Sequence, residues 1–155
     1  MSHAFSPAPD ADIDLRNAVL ADADDVARLL GELGYPCDLH DATDRIAAIL
    51  ANERQALVVA RRDGAVCGLV ALDFMYYLPL GTTTCRITAL VVLADARGCG
   101  VGRRLLLDAE RRARAGGAAR IELTSGAQRS EAHVFYRACG YRDSSVRFVK
   151  PLGAS

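Results

Sequence analysis

The sequence predicts an α/β protein in which one mixed sheet carries helices on its faces. Three observations lead there. Two apolar, β-branched runs flank Asp63-Gly64, a strong hairpin signal. Other segments place apolar residues at helical spacing. After the fourth strand the pattern changes to a glycine-rich loop, a helix and another strand, the composition of a βαβ crossover.

Each element follows in order. Ile13 to Val19 is short and partly alternating, a first strand. Asp22 is placed to cap a helix through about Leu33, with Val26, Leu29, Leu30 and Leu33 on one stripe. Gly34-Tyr35-Pro36 breaks it. Thr43 is placed to cap a second helix with Ile46, Ile49 and Leu50 on its apolar side. The hairpin strands are Ala56 to Arg61 and Val66 to Met75, the second ended by Pro79 and Gly81. Thr84 to Leu93 is apolar on both sides from Ala89 onwards, which predicts a central strand. Leu105, Leu106, Ala109 and Ala113 define a third helix that Gly116-Gly117 stops. Ala119 to Thr124 is a strand. Ala132, Phe135, Tyr136 and Cys139 mark a last helix from about Ser130 to Gly140, and Val146 to Val149 a final strand.

The chain has 155 residues, enough for one domain. At 51% hydrophobic and 25% charged it can bury a core and is not generally disordered. Residues 1–12, with Pro7 and Pro9, read as a flexible leader, and residues 13–155 as a single domain. The start lacks a basic segment and an apolar run, so no secretory signal is expected. No long apolar run predicts a membrane span. Nineteen basic and nineteen acidic residues balance, which argues against a general electrostatic nucleic-acid binder.

The balance hides an asymmetry. Residues 1–50 hold ten acids and three arginines, whereas residues 97–120 hold seven arginines and two acids. A local positive segment in a neutral chain points to a small anionic ligand. The five cysteines (37, 67, 85, 99, 139) are odd in number and lack metal spacing, and the three histidines are isolated. No metal site is expected. Reduced thiols in a cytoplasmic protein are the simplest account.

The informative segment is Leu90-Val91-Val92 followed, after a short turn, by Arg97-Gly98-Cys99-Gly100-Val101-Gly102-Arg103. Glycines between a strand and a helix let backbone amides approach a ligand with no side chain in the way. The helix adds unpaired N–H groups and the positive end of its dipole. The product is a phosphate or pyrophosphate cradle. The glycine spacing fails the dinucleotide fingerprint, and no Gly-Lys-Ser/Thr follows for a Walker loop.

This segment resembles the Arg/Gln-x-x-Gly-x-Gly/Ala motif of the GNAT N-acetyltransferase superfamily. Ala132-His-Val-Phe-Tyr136-Arg-Ala-Cys-Gly-Tyr141 resembles that family's A-x-x-F-Y-x-x-x-G-F/Y segment, and Leu15-Arg16 with Asp22 and Asp25-Val-Ala-Arg-Leu-Leu its first strand and helix. The resemblance covers residues 13–152. It implies a GNAT-like three-layer fold, with a mostly antiparallel sheet whose fourth and fifth strands splay apart to admit pantetheine. It implies acetyl-CoA as co-substrate, with no metal, and transfer of its acetyl group to a primary amine by direct attack in a ternary complex. Leu90, Val91 and Val92 would face pantetheine and thioester through their backbone. Arg97, Gly98, Cys99, Gly100, Val101, Gly102 and Arg103 would form the pyrophosphate site. Tyr136 would be the catalytic acid that protonates the departing thiolate.

Two departures stand out. Arg129 occupies a position where many relatives have Asn, and Thr84 to Val92 holds no carboxylate to serve as general base. Asp73 and Glu122 are the nearest acids by strand position and read as polar-face residues. The acceptor is a small-molecule or peptide amine, and the acidic first half favours a cationic one. Two other classes stay open. One is a non-catalytic acyl-CoA-binding sensor; the other is an interaction domain, a homodimer through its last strand.

Overall fold

A computed structural model describes residues 12–124 and 130–153. The leader expected over 1–12 lies outside them except for Asp12, as does Arg129. The chain divides into two compact units, Met1–Thr124 and Ser125–Ser155.

The first unit holds a five-stranded sheet in the order β1-β2-β3-β4-β5. Its strands are β1 (Ile13–Asn17), β2 (Gln55–Arg62), β3 (Ala65–Tyr77), β4 (Thr82–Val92) and β5 (Ala118–Leu123). The first three pairings are antiparallel and the last is parallel. Asp63 and Gly64 turn the β2–β3 hairpin with φ of 53° and 83°, the left-handed pair that matches strand twist. Three helices accompany the sheet: α1 (Ala23–Leu33), α2 (Leu39–Leu50) and α3 (Val101–Ala115).

Both faces of the sheet are covered, and strand alternation explains how. Leu57 and Val59 of β2, Leu69 and Ala71 of β3 and Val91 of β4 share one core with Val26, Leu29, Ala42 and Ile46 of α1 and α2. Val58, Ala60, Val70 and Leu72 alternate with them and are also buried. On that second face α3 contributes Val101, Leu105, Leu106, Ala109 and Ala113. Gly68 marks a close approach of α3 to β3. A Cβ there would sit 3.1 Å from both Leu105 and Val101.

Two features of β4 position the site. Its ladder with β3 shifts between Ala71↔Ala89 and Leu72↔Ile87, which leaves Thr88 as a bulge; the Thr88 hydroxyl donates to the Ala71 carbonyl at 3.4 Å. On its other edge, the ladder with β5 ends at Ile87↔Leu123. Ala89 to Val92 therefore pair only with β3 among the described residues. Beyond Ile87 no described residue of β5 pairs with β4, which is where the expected splay between strands four and five would lie.

The sequence reading needs three corrections. Helix α2 begins at Leu39, because Asp38 accepts from the Asp41 N–H at 2.8 Å and so caps it earlier than Thr43 would. Thr43 lies inside the helix, its hydroxyl donating to the Leu39 carbonyl. Asp22 precedes α1 without capping it. Its buried carboxylate takes both Arg16 guanidinium nitrogens at 2.8 Å and the Val19 N–H at 2.8 Å. The third correction concerns the second unit, described by itself. There α4 (Ser130–Ala138) forms as expected and Gly140 ends it at φ 94°. Residues 141–153, however, contain no strand, and Val146, Phe148, Val149 and Leu152 are exposed. β-Propensity specifies a strand only where a neighbouring ladder accepts it.

The Arg16–Asp22 pair makes a testable contribution to the first unit. Arg16 beside it holds the Asp22 carboxyl below the usual carboxylate range. Its ionised form thus stabilises the fold at neutral pH, and that contribution disappears as pH falls through the lowered folded pKa. Asp22→Asn should cost about 1–3 kcal/mol near neutrality. The gap to the parent should narrow on acidification below about pH 4. Urea midpoints of both proteins across this range check it; a gap that ignores pH would refute the assignment.

Candidate active site

The site is built where β4 runs into α3. A short 3₁₀ turn, Ala94–Ala96, leaves the strand and anchors on buried Ala96. Arg97 is extended, and Gly98 and Gly100 follow at φ 77° and 89°. Side chains rarely tolerate that backbone, which is the reason for glycine here. A Cβ at either position would meet nothing within 4 Å, so the loop also faces open space. The first intrahelical bond of α3 runs from Arg104 N–H to the Gly100 carbonyl at 3.0 Å. The N–H groups of Val101 and Gly102 precede it and have no carbonyl within the helix.

The charge around this helix end is arranged for an external anion. First turns favour acids, yet α3 has none there. Arg97 lies across the end of β4, its Nε donating to the Val92 carbonyl at 3.2 Å and its guanidinium 3.9 Å from Glu32. Arg62 reaches in from β2 to the Cys99 sulfur at 2.9 Å, and the Cys99 thiol points back to the Arg97 carbonyl at 3.7 Å. The thiol is held within the loop. Burial pushes Cys67 up and Cys85 up to about 11, which keeps both as inert core residues.

Beside the loop, Leu90, Val91 and Val92 pair with Val70, Leu69 and Gly68 on one edge. Their other edge lies beyond the end of the β5 ladder. Backbone groups on an open strand edge can bind an extended, amide-bearing chain in the manner of an added strand. Such an edge beside a helix end can receive an extended chain along β4 and an anion at the start of α3. The structure therefore brings residues 90–92 and 97–103 together. Tyr136 belongs to the second unit, on α4, where its ring packs 5.5 Å from Phe135 and edge-on to Tyr141 at 6.3 Å.

The acids of the first half are largely engaged elsewhere. Asp22 holds Arg16, Asp14 pairs with Arg61 at 2.7 Å, Asp38 caps α2 and Glu32 faces Arg97. Sequence reasoning missed a different feature, a polar row across the sheet. Gln55↔Asp73, Asp73↔Arg86 and Arg86↔Glu122 are successive register partners, so all four residues share one rung. The available signal was Arg86, a lone charge in Thr82–Val92.

Comparison with known proteins gives a consistent picture. A model of the acetyltransferase (GNAT) family matches residues 23–141. The chain is 36% identical to an aminoalkylphosphonate N-acetyltransferase of Salmonella typhimurium, across 90% of this chain and 91% of that protein. It is 32% identical to an IAA acetyltransferase of Azospirillum brasilense, across 83% and 80%. Among solved structures, an aminoglycoside N-acetyltransferase in complex with CoA shares the fold, with a TM-score of 0.81 at 16% identity and coverage of 91% and 95%.

The cradle can be tested by charge at a fixed backbone. Asparagine and aspartate tolerate left-handed geometry comparably. Gly100→Asp should lose the rise in melting temperature that acetyl-CoA produces, whereas Gly100→Asn should keep part of it. Equal rises in both variants and the parent would show that no anion sits at this helix end.

Proposed function

Because this chain belongs to the acetyltransferase (GNAT) family, we propose that it transfers the acetyl group of acetyl-CoA to a primary amine of a small molecule, in a ternary complex. The observation that carries the reading is the open edge of β4 leading directly into the glycine cradle of α3. The 36% identity to an aminoalkylphosphonate N-acetyltransferase supports a compact amine over a peptide.

Acetyl-CoA supplies the activated acetyl thioester when bound. The chain's own residues bind, orient and handle the proton. Backbone N–H groups from Gly98 to Arg103 hold the pyrophosphate. Backbone groups of Leu90 to Val92 align the thioester, and an N–H on that edge takes up the negative charge that develops on the carbonyl oxygen. Holding amine and acyl carbon together supplies much of the rate. The amine attacks directly as the neutral base, its C–N bond forming as the C–S bond breaks and its nitrogen shedding a proton to water. Cys99 carries no acyl group. Its thiol is engaged by Arg62 and the Arg97 carbonyl. The Tyr136 hydroxyl, protonated at neutral pH because a phenol's pKa is about 10, gives its proton to the departing sulfur.

The same reading makes residues 13–155 one catalytic domain. No disulfide links cysteines among the described residues, which supports a reducing, cytoplasmic setting. No helix among the described residues is long and apolar enough to cross a membrane. The exposed apolar side chains Val146, Phe148 and Leu152 support a homodimer formed through the C-terminal segment.

Release of free thiol from acetyl-CoA across a panel of amines tests the function; release that no amine accelerates would refute it. On the best amine, initial-rate plots should intersect, as a ternary complex requires, and parallel lines would indicate an acyl-enzyme. Tyr136→Phe keeps the ring and deletes the hydroxyl. Its kcat should fall by about 10²–10⁴, with acetyl-CoA still raising the melting temperature as in the parent. A variant that turns over like the parent would mean that water supplies the proton.

A further inference from the structure

The polar row across the sheet lies one pair before the end of the β4–β5 ladder. Arg86 immediately precedes Ile87, where the β4–β5 ladder ends, and Thr88, where β4 bulges. Strand alternation fixes its face. Leu69 and Ala71 belong to the core under α1 and α2, and Asp73, two residues on, points to the same side. Arg86 and Glu122 are its cross-strand partners and share that side. The row lies one step past Ala71 along β3. Asp73, Arg86 and Glu122 are all half-buried.

The charges in and beside this row differ in how they are satisfied. Arg120 is built into the sheet: it stacks 4.4 Å over the Tyr77 ring and donates to Thr84 at 3.3 Å and to Glu122 at 3.2 Å. Glu122 thereby has its cation. Arg86 does not have an anion. Among the described residues its guanidinium reaches only the Thr124 hydroxyl, at 3.4 Å, and forms no ion pair. A half-buried guanidinium without a carboxylate is costly, and its planar fork suits an oxyanion with two oxygens to offer. Asp73, its register neighbour, likewise forms no ion pair among the described residues, so a positive and a negative side chain stand side by side near the end of the β4–β5 ladder without being paired to each other.

We propose that Arg86 determines acceptor specificity by binding an oxyanion carried by the acceptor amine, while Asp73 accepts a hydrogen bond from the ammonium end. The acceptor is then a short zwitterion whose two poles match Arg86 and Asp73 on one rung, its nitrogen held at the foot of the opening through which the thioester arrives. This rests on the acetyl-transfer reading above and adds to it the class of amine.

The test compares three amines of similar length, 2-aminoethylphosphonate, β-alanine and n-propylamine, by turnover and by melting shift of the CoA-loaded protein. The parent should prefer the anionic amines, and which of the two it favours identifies phosphonate or carboxylate as the oxyanion. Arg86→Gln should reduce that preference at least tenfold, the loss expected for a charge-assisted contact, with Arg86→Lys recovering part of it. Acetyl-CoA should still raise the melting temperature of both variants. A parent that acetylates n-propylamine as well as the anionic amines, or an Arg86→Gln variant with unchanged preference, would overturn the assignment while leaving acetyl transfer intact. Arg86-dependent stabilisation by an anionic amine with no turnover of any amine would do the reverse.

Discussion

An interior strand with one edge left unpaired is the constraint on which this structure depends. β4 sits between β3 and β5, yet from Ala89 to Val92 only β3 supplies partners among the described residues. Backbone N–H and C=O groups taken out of water without partners are costly, so such an edge persists only where solvent or a ligand meets it. The bulge at Thr88 lies at the start of that edge. An extra residue increases local twist and turns the strand away from its neighbour. The parallel pairing with β5 ends at Ile87↔Leu123, one residue before the bulge.

The rest of the first unit fixes where β4 lies. The sheet is clamped on one side by α1 and α2 and on the other by α3, so β4 cannot relax back onto β5 without disturbing two cores. Gly68 lets α3 approach closely enough to fix where its first turn lies. That turn carries no acid, and Arg62 and Arg97 lie beside it. The helix dipole and the arginines together make an anion the natural occupant. One strand end thus joins two features suited to binding: an edge of β4 unpaired among the described residues and a helix start without acids.

Some of this was legible in the residues themselves. The hairpin at Asp63-Gly64, the glycine loop and α3 could be read because each is a local demand: a turn needs left-handed residues, a cradle needs backbone without side chains, a helix needs its stripe. The start of α2 was misread because Thr43 and Asp38 are both acceptable caps, and only the hydrogen bond to Asp41 decides between them. Asp22 had the position of a cap but serves as a counter-ion, since Arg16 on β1 comes within 2.8 Å of it once β1 and α1 are packed.

By itself the sequence determined the class of the fold, the order of the elements through α4 and the place of the glycine loop before α3, because these depend on residues near one another in the chain. Tertiary structure decided the rest. The register across four strands puts Gln55, Asp73, Arg86 and Glu122 on one rung, although they are spread over nearly half the chain. It also decided where β4 parts from β5, and that Val146 to Val149 forms no strand in the described chain. Register and pairing are properties of two segments at once, and a one-residue slip reverses every side chain, so no single segment can specify them.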